Sequence, residues 1–223
     1  MDKNSRVKVL LFTALFVCMF GSLSFGFDDG DFQFWSTANA SFEVTDNWGG
    51  KFEEEFRFGD DASQLYYQHS DLGFVYGGLA DWLDVGLNYR LVFEKDGAGQ
   101  WKQENRPHLN ATFKGKLKGV SVSDRSRFEY RDREDKKDVW RYRNKLTVKL
   151  PVELTKLKPY IADEIFVDFE GAGLNRNRFY TGLSVPVSRR LDGGLYYLWQ
   201  SSKSAGAWKD INVIGGQLKI YFK

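Results

Sequence analysis

From Val139 to Leu150 the chain reads VWRYRNKLTVKL, and the character of its side chains alternates residue by residue. Trp140, Tyr142, Asn144, Leu146, Val148 and Leu150 share one parity, while Arg141, Arg143, Lys145, Thr147 and Lys149 share the other. A period of two is that of a β-strand, whose successive side chains point to opposite faces. An oily wall backed by a row of cations suits a nucleic-acid-binding sheet or a membrane barrel with a polar lumen. Sheets that stack RNA bases show aromatics and cations on the same face. Here they fall on opposite faces, which favours the barrel.

The alternation recurs along the chain. Strands are expected near 31–44, 47–58, 64–78, 82–95, 101–116, 119–132, 138–150, 158–169, 175–188, 191–202 and 211–223. Clusters such as GDDAS, KDGAG, DREDKK and SRRLDGG separate them and mark turns. No stretch keeps helical spacing over three turns. Sandwich strands typically have about five or six residues, whereas about a dozen residues here would reach roughly 40 Å. Tilted, that length crosses the apolar band of an outer membrane. The expected fold is therefore all-β, an antiparallel up-and-down transmembrane barrel. Single-chain bacterial barrels have an even strand number, so the eleven segments imply twelve strands, or ten if one early segment leaves the wall. The longer charged connections near 96–100, 133–137, 170–174 and 202–210 fall on one side, and GGLAD, GKLKG and SRRLDGG on the other.

The N-terminus fits export. Lys3, Arg6 and Lys8 precede the apolar run Val9 to Phe20, and small residues follow at Gly21, Ser22, Ser24 and Gly26. This is the layout of a signal peptide over residues 1–26, cut near Ser24 or Gly26. The run is shorter than the roughly 20 residues of a membrane helix. That segment holds three cations against Asp2, which accounts for the formal charge of +2 on the whole chain. The expected mature domain, 27–223, is near neutral, so basicity gives no support to a nucleic-acid partner. Cys18 is the single cysteine and lies in the expected leader, so no disulfide is expected in the mature domain.

Aromatic residues make up 17% of the chain, and Phe32, Phe34, Trp35, Trp48, Trp82, Trp101, Trp140, Tyr197 and Trp199 gather toward strand ends. Trp and Tyr favour membrane–water boundaries, where one end of the side chain is dry and the other wet. On the opposite parity, consecutive segments carry Arg125, Arg127, Glu129, Arg141, Arg143, Glu164, Arg176 and Arg178. These are the candidate site residues: a lumen charge network that either filters or binds anions or fills a narrow barrel and satisfies its own charges. Glu54 and Asp163 interrupt the outward rows, through either a register shift or a place at the rim.

Catalytic constellations are sparse. His69 is followed directly by Ser70, which puts the two on opposite faces, and His108 shares the face of Arg106. No nucleophile, base and orienting group can be assembled from them. No metal-binding motif occurs, and FGDDAS reads as a turn. No enzyme activity, cofactor or metal is expected.

The segments SDRSRFEYR (123–131), WRYRNKL (140–146), KPYIADEIF (158–166) and RNRFYTGLSVPVSRRLDGGLYYLW (176–199) resemble a family of bacterial outer-membrane barrels known as domain of unknown function 2490. The resemblance runs from about Phe32 to Phe222 and is strongest after residue 120. It implies an exported barrel with no established substrate and no catalytic residues to carry over. Outer-membrane barrels usually finish on an aromatic residue that the assembly machinery reads, whereas here Phe222 is followed by Lys223. The expected location is the bacterial outer membrane. The expected partners are outer-membrane lipids, lipopolysaccharide and, during biogenesis, the barrel assembly machinery, around a monomer with no nucleic-acid partner. The expected role is a narrow pore for small polar or anionic solutes, or a structural or binding barrel. The alternatives are an outer-membrane lipid hydrolase or acyltransferase, and a soluble periplasmic β-sandwich binding protein.

Overall fold

The computed structural model describes residues 29–151, 157–170, 173–204 and 206–222. The expected signal peptide and its cleavage site lie outside these residues. The alternating segments form eleven strands: β1 Asp31–Glu43, β2 Trp48–Gly59, β3 Gln64–Ala80, β4 Leu83–Lys95, β5 Trp101–Leu117, β6 Val120–Arg133, β7 Val139–Lys149, β8 Lys158–Asp168, β9 Gly173–Ser188, β10 Leu191–Ser204 and β11 Ala207–Phe222. Each pairs antiparallel with its sequence neighbours, and the sheet closes into a barrel where β1 meets β11. A closed barrel replaces the β-sandwich alternative.

The strand number among the described residues is eleven, where the sequence reading gave twelve or ten. Closure is made by a parallel pair, with β1 and β11 in register from Asp31↔Ile211 to Phe42↔Phe222. In an up-and-down sheet with an odd number of strands, the first and last run the same way, so only a parallel pair can close it. β1 therefore begins at one rim and β11 ends at the other. We call these the N-terminal and C-terminal rims.

Turn chemistry fixes the hairpins. Lys118 and Gly119 both take positive φ, 47° and 84°, between the paired ends Leu117 and Val120. That is the two-residue turn whose twist matches its flanking strands. At the N-terminal rim the Asp96 carboxylate accepts from the backbone N–H of Gln100 and of Ala98, both at 2.9 Å, which holds its pKa below the usual range. The connection expected over 202–210 is mostly strand: β10 and β11 stay paired out to Ser204↔Ala207, and Gly206 turns at φ 85°. Polar residues on a hairpin that projects past the rim carry no apolar alternation, so they read as loop.

The two faces of the wall are opposite in polarity. Every strand turns exposed apolar side chains outward, with Leu72, Leu87 and Leu195 exposed by 57%, 60% and 67%. Trp48 and Trp82 sit outward near the C-terminal rim, and Trp101, Trp140, Trp199 and Trp208 near the N-terminal rim. Trp35, grouped with these by the sequence reading, faces inward and is 2% exposed. Its parity is that of the inward Gln33 and Thr37, and that parity decides its face. Glu54 and Asp163 stay outward without a shift of register at either residue. Each is partnered on the next strand: Ser70 Oγ donates to Glu54 at 2.6 Å, and Asn177 Nδ2 donates to Asp163 at 3.0 Å.

Candidate functional site

The interior is filled at one end and hollow at the other. In the half near the N-terminal rim, Gln33, Trp35, Val92, Glu129, Phe166, Leu198 and Val213 are all at most 2% exposed. Trp35 Nε1 and Tyr66 Oη both donate to Gln33 Oε1, at 3.0 and 2.8 Å. The Arg57 guanidinium lies 3.8 Å above the Trp35 ring and 4.1 Å from that of Tyr67. Phe166 is surrounded by cations: Arg143, Arg178, Arg176 and Arg141 approach its ring at 4.5, 4.8, 5.5 and 5.9 Å. Register explains the gathering, because Phe166 pairs directly with Arg143 on β7 and with Arg176 on β9.

All eight charged residues singled out in the sequence face this interior. Fully buried Glu129 is shared by Arg143 at 3.3 Å, Arg127 and Arg141 at 3.9 Å, and Arg106 at 4.0 Å. Glu164, 1% exposed, takes Arg143 at 2.8 Å, Arg125 at 3.1 Å and Arg178 at 3.8 Å, and accepts from Tyr180 Oη at 3.1 Å. Arg141 also pairs with Asp168. Arg176 and Arg178 turn their Nε atoms to Ser202 Oγ and Gln200 Oε1, at 3.0 and 2.6 Å. Charge-assisted bonds of this kind are roughly twice as strong as neutral ones, and guanidinium forks fix their geometry.

A second network, on β2–β6, lies beyond the eight residues singled out in the sequence. Arg90 bridges Asp71 at 2.8 Å and Glu53 at 2.9 Å. His69 Nε2 lies 2.9 Å from Glu53, and Arg57 meets Glu55 at 2.5 Å. Glu104 takes Arg106 at 2.8 Å and Arg131 at 2.6 Å. The signal was present in KFEEEFR (51–57): once Glu54 is read outward, Glu53, Glu55 and Arg57 must point in. His69 and His108 are both inward and buried, with His108 Nδ1 at 3.2 Å from the Arg106 carbonyl. Ser70 lies on the outer face bonded to Glu54, so the structure brings no serine to His69 from that position.

Toward the C-terminal rim the filling stops, leaving a cavity of about 540 Å³. Its floor is the plug, through Trp35, Arg57, Arg143 and Arg178, and near its mouth lie Ser41, Lys51, Asp84 and Tyr221. One side is tyrosine: Tyr196 lies over Gly215, and Tyr160 over Gly182, so a glycine faces each ring across the strand pair. Nine cationic residues line the cavity against five carboxylates.

Fold and interior together define a closed β-barrel with a polar, half-filled lumen and an apolar outer wall. The model of a family described as "Protein of unknown function (DUF2490)" matches residues 32–211, and the chain belongs to that family. No curated protein matches the chain.

Proposed function

We propose that this chain is an outer-membrane barrel that binds or braces and does not conduct. The observation that carries the reading is the inversion of polarity between its two faces. Exposed Leu, Phe, Ile and Trp cover all eleven strands outside, while Arg, Glu, Asp and His are buried inside. Water would penalise an apolar surface of that extent, and hydrocarbon would reward it. Tryptophans near both rims fit the two membrane boundaries. Closure satisfies the backbone of every strand, as hydrocarbon requires. The filled half of the lumen supports a blind interior over a pore, and among the described residues the two histidines are held by Glu53 and by the Arg106 carbonyl, with no hydroxyl bonded to either ring. Outer-membrane lipids and lipopolysaccharide would then surround a monomer delivered by the barrel assembly machinery.

The test is fractionation followed by reconstitution. The protein should sediment with outer membrane, migrate faster in SDS when unboiled, and add no conductance to a planar bilayer. Recovery in the soluble periplasm would defeat the membrane reading, and steady single-channel current would defeat the closed lumen. Incubated with phospholipid, the folded protein should release no fatty acid.

A further inference from the structure

We infer that the cavity at the C-terminal rim is a binding site for a small phosphate-bearing anion, entering by that mouth and resting on the plug. The inference deepens the reading of a closed barrel and depends on its blind lumen. Three lines of geometry support it.

The first is uncompensated charge. Among the described residues, Lys51, Lys145 and Lys219 make no ion pair, although all three line the cavity. Register sets Lys145 directly across from Arg125 on β6 and from Glu164 on β8, a carboxylate that Arg125, Arg143 and Arg178 already share. Like charges held together in a confined space lower their free energy when an anion joins them.

The second is the charge balance of the wall. Nine cationic residues, among them Arg125, Arg127 and Arg143, line the cavity against five carboxylates, so the wall as a whole carries an excess of positive charge. A tetrahedral oxyanion offers several acceptor oxygens at once, and guanidinium forks match phosphate.

The third is shape. A volume of about 540 Å³ lies within the usual range of small-molecule sites, about 300–1,000 Å³. It leaves room beyond one phosphate, bounded by Tyr160, Tyr180 and Tyr196, with the Lys145 ammonium 3.6 Å above the Tyr180 ring. The phosphate is thus placed among Lys145, Arg125 and Arg127, with the remainder of the molecule against the tyrosines. A free phosphorylated solute and a lipid headgroup share this chemistry.

The experiment is titration calorimetry of the folded barrel in neutral detergent with inorganic pyrophosphate, and separately with glycerol 3-phosphate as the headgroup mimic. One saturable site per barrel is expected, weakening as salt is raised. Tighter pyrophosphate assigns a free diphosphate-like solute, and tighter glycerol 3-phosphate assigns a headgroup. Lys145→Gln and the pair Lys51→Gln with Lys219→Gln should each weaken binding by about tenfold, the loss expected from one charge-assisted bond. These lysines hold no carboxylate, so the variants should fold, as the unboiled gel shift will show. Lys136→Gln, at the exposed N-terminal rim, should bind as the parent does. Absence of a saturable site, or equal weakening by Lys136→Gln, overturns the inference. A gel-shifting, non-conducting barrel that binds neither probe loses only this inference. A barrel that conducts steadily loses the closed-lumen reading and, with it, the floor on which this inference rests.

Discussion

Glu129 shows what one buried charge must do in this interior. It is fully buried, and four arginines share its two oxygens. Glu129→Gln removes the charge but keeps the shape, leaving cations that repel one another with one less counter-charge between them. Breaking a buried ionic cluster by deleting one partner costs about 3–5 kcal/mol. Asp135 makes the contrast: its pair with Lys102, at 2.6 Å, has the carboxylate side chain 67% exposed. Asp135→Asn should cost under about 1 kcal/mol, because water screens such a pair. Urea unfolding in detergent, followed by tryptophan fluorescence, should separate the two variants by at least a factor of two in stability lost. Similar losses would mean that the plug is wetter than its burial indicates. Residue parity was legible from the sequence for all eight charges, since alternation alone sets their faces. Trp35 is the exception, because closeness to a strand end does not say which face a ring takes. Its parity with Gln33 and Thr37 held the answer.

At the scale of the element, strands and most turns could be read directly, but the seam between β1 and β11 could not. A parallel pair joining the two ends of the chain has no local signature, and the even-number rule pointed elsewhere. The hollow half was hidden for a related reason. Which inward residues share a level depends on strand tilt and register, and one strand does not encode either. Gly215 illustrates both points. It sits in the seam opposite Trp35 and pairs with Tyr196, and a Cβ built on it would lie 2.0 Å from the Tyr196 ring. Gly182 gives way to the Tyr160 ring in the same manner, at 2.8 Å. These glycines make room for large neighbours in a narrow interior. Gly215→Val must therefore displace Tyr196 or open the closing pair, at a cost of about 1–3 kcal/mol for overpacking. Gly216 faces outward beside it, and a Cβ there meets nothing nearer than Leu195 at 4.0 Å. Gly216→Val should fold as the parent does, whereas Gly215→Val should lose its unboiled gel shift at lower temperature. Equal behaviour of the two would place the seam elsewhere.

The whole molecule can be seen as a barrel stoppered at one end. The stopper is built from two aromatic anchors on opposite walls, Trp35 on β1 and Phe166 on β8, with Arg178 between them at 4.9 and 4.8 Å from their rings. The guanidiniums are held by carboxylates, but the anchors fill the volume. Replacing both by alanine removes two large rings from an interior that is polar on all sides, so water should enter where an apolar cavity would stay dry. The hollow half would then connect toward the N-terminal rim through a passage lined by Arg57, Arg141, Arg143, Arg176 and Arg178. Guanidiniums keep their charge at any physiological pH, so such a passage should prefer anions. Trp35→Ala with Phe166→Ala should turn a silent barrel into a weakly anion-selective channel in planar bilayers, while each single variant stays silent or flickers. Chloride should carry more of that current than potassium when the salt is potassium chloride, as the reversal potential under a salt gradient will report. A double variant that folds, shows the unboiled gel shift and passes no current would mean that the charge network closes the barrel without its aromatic anchors.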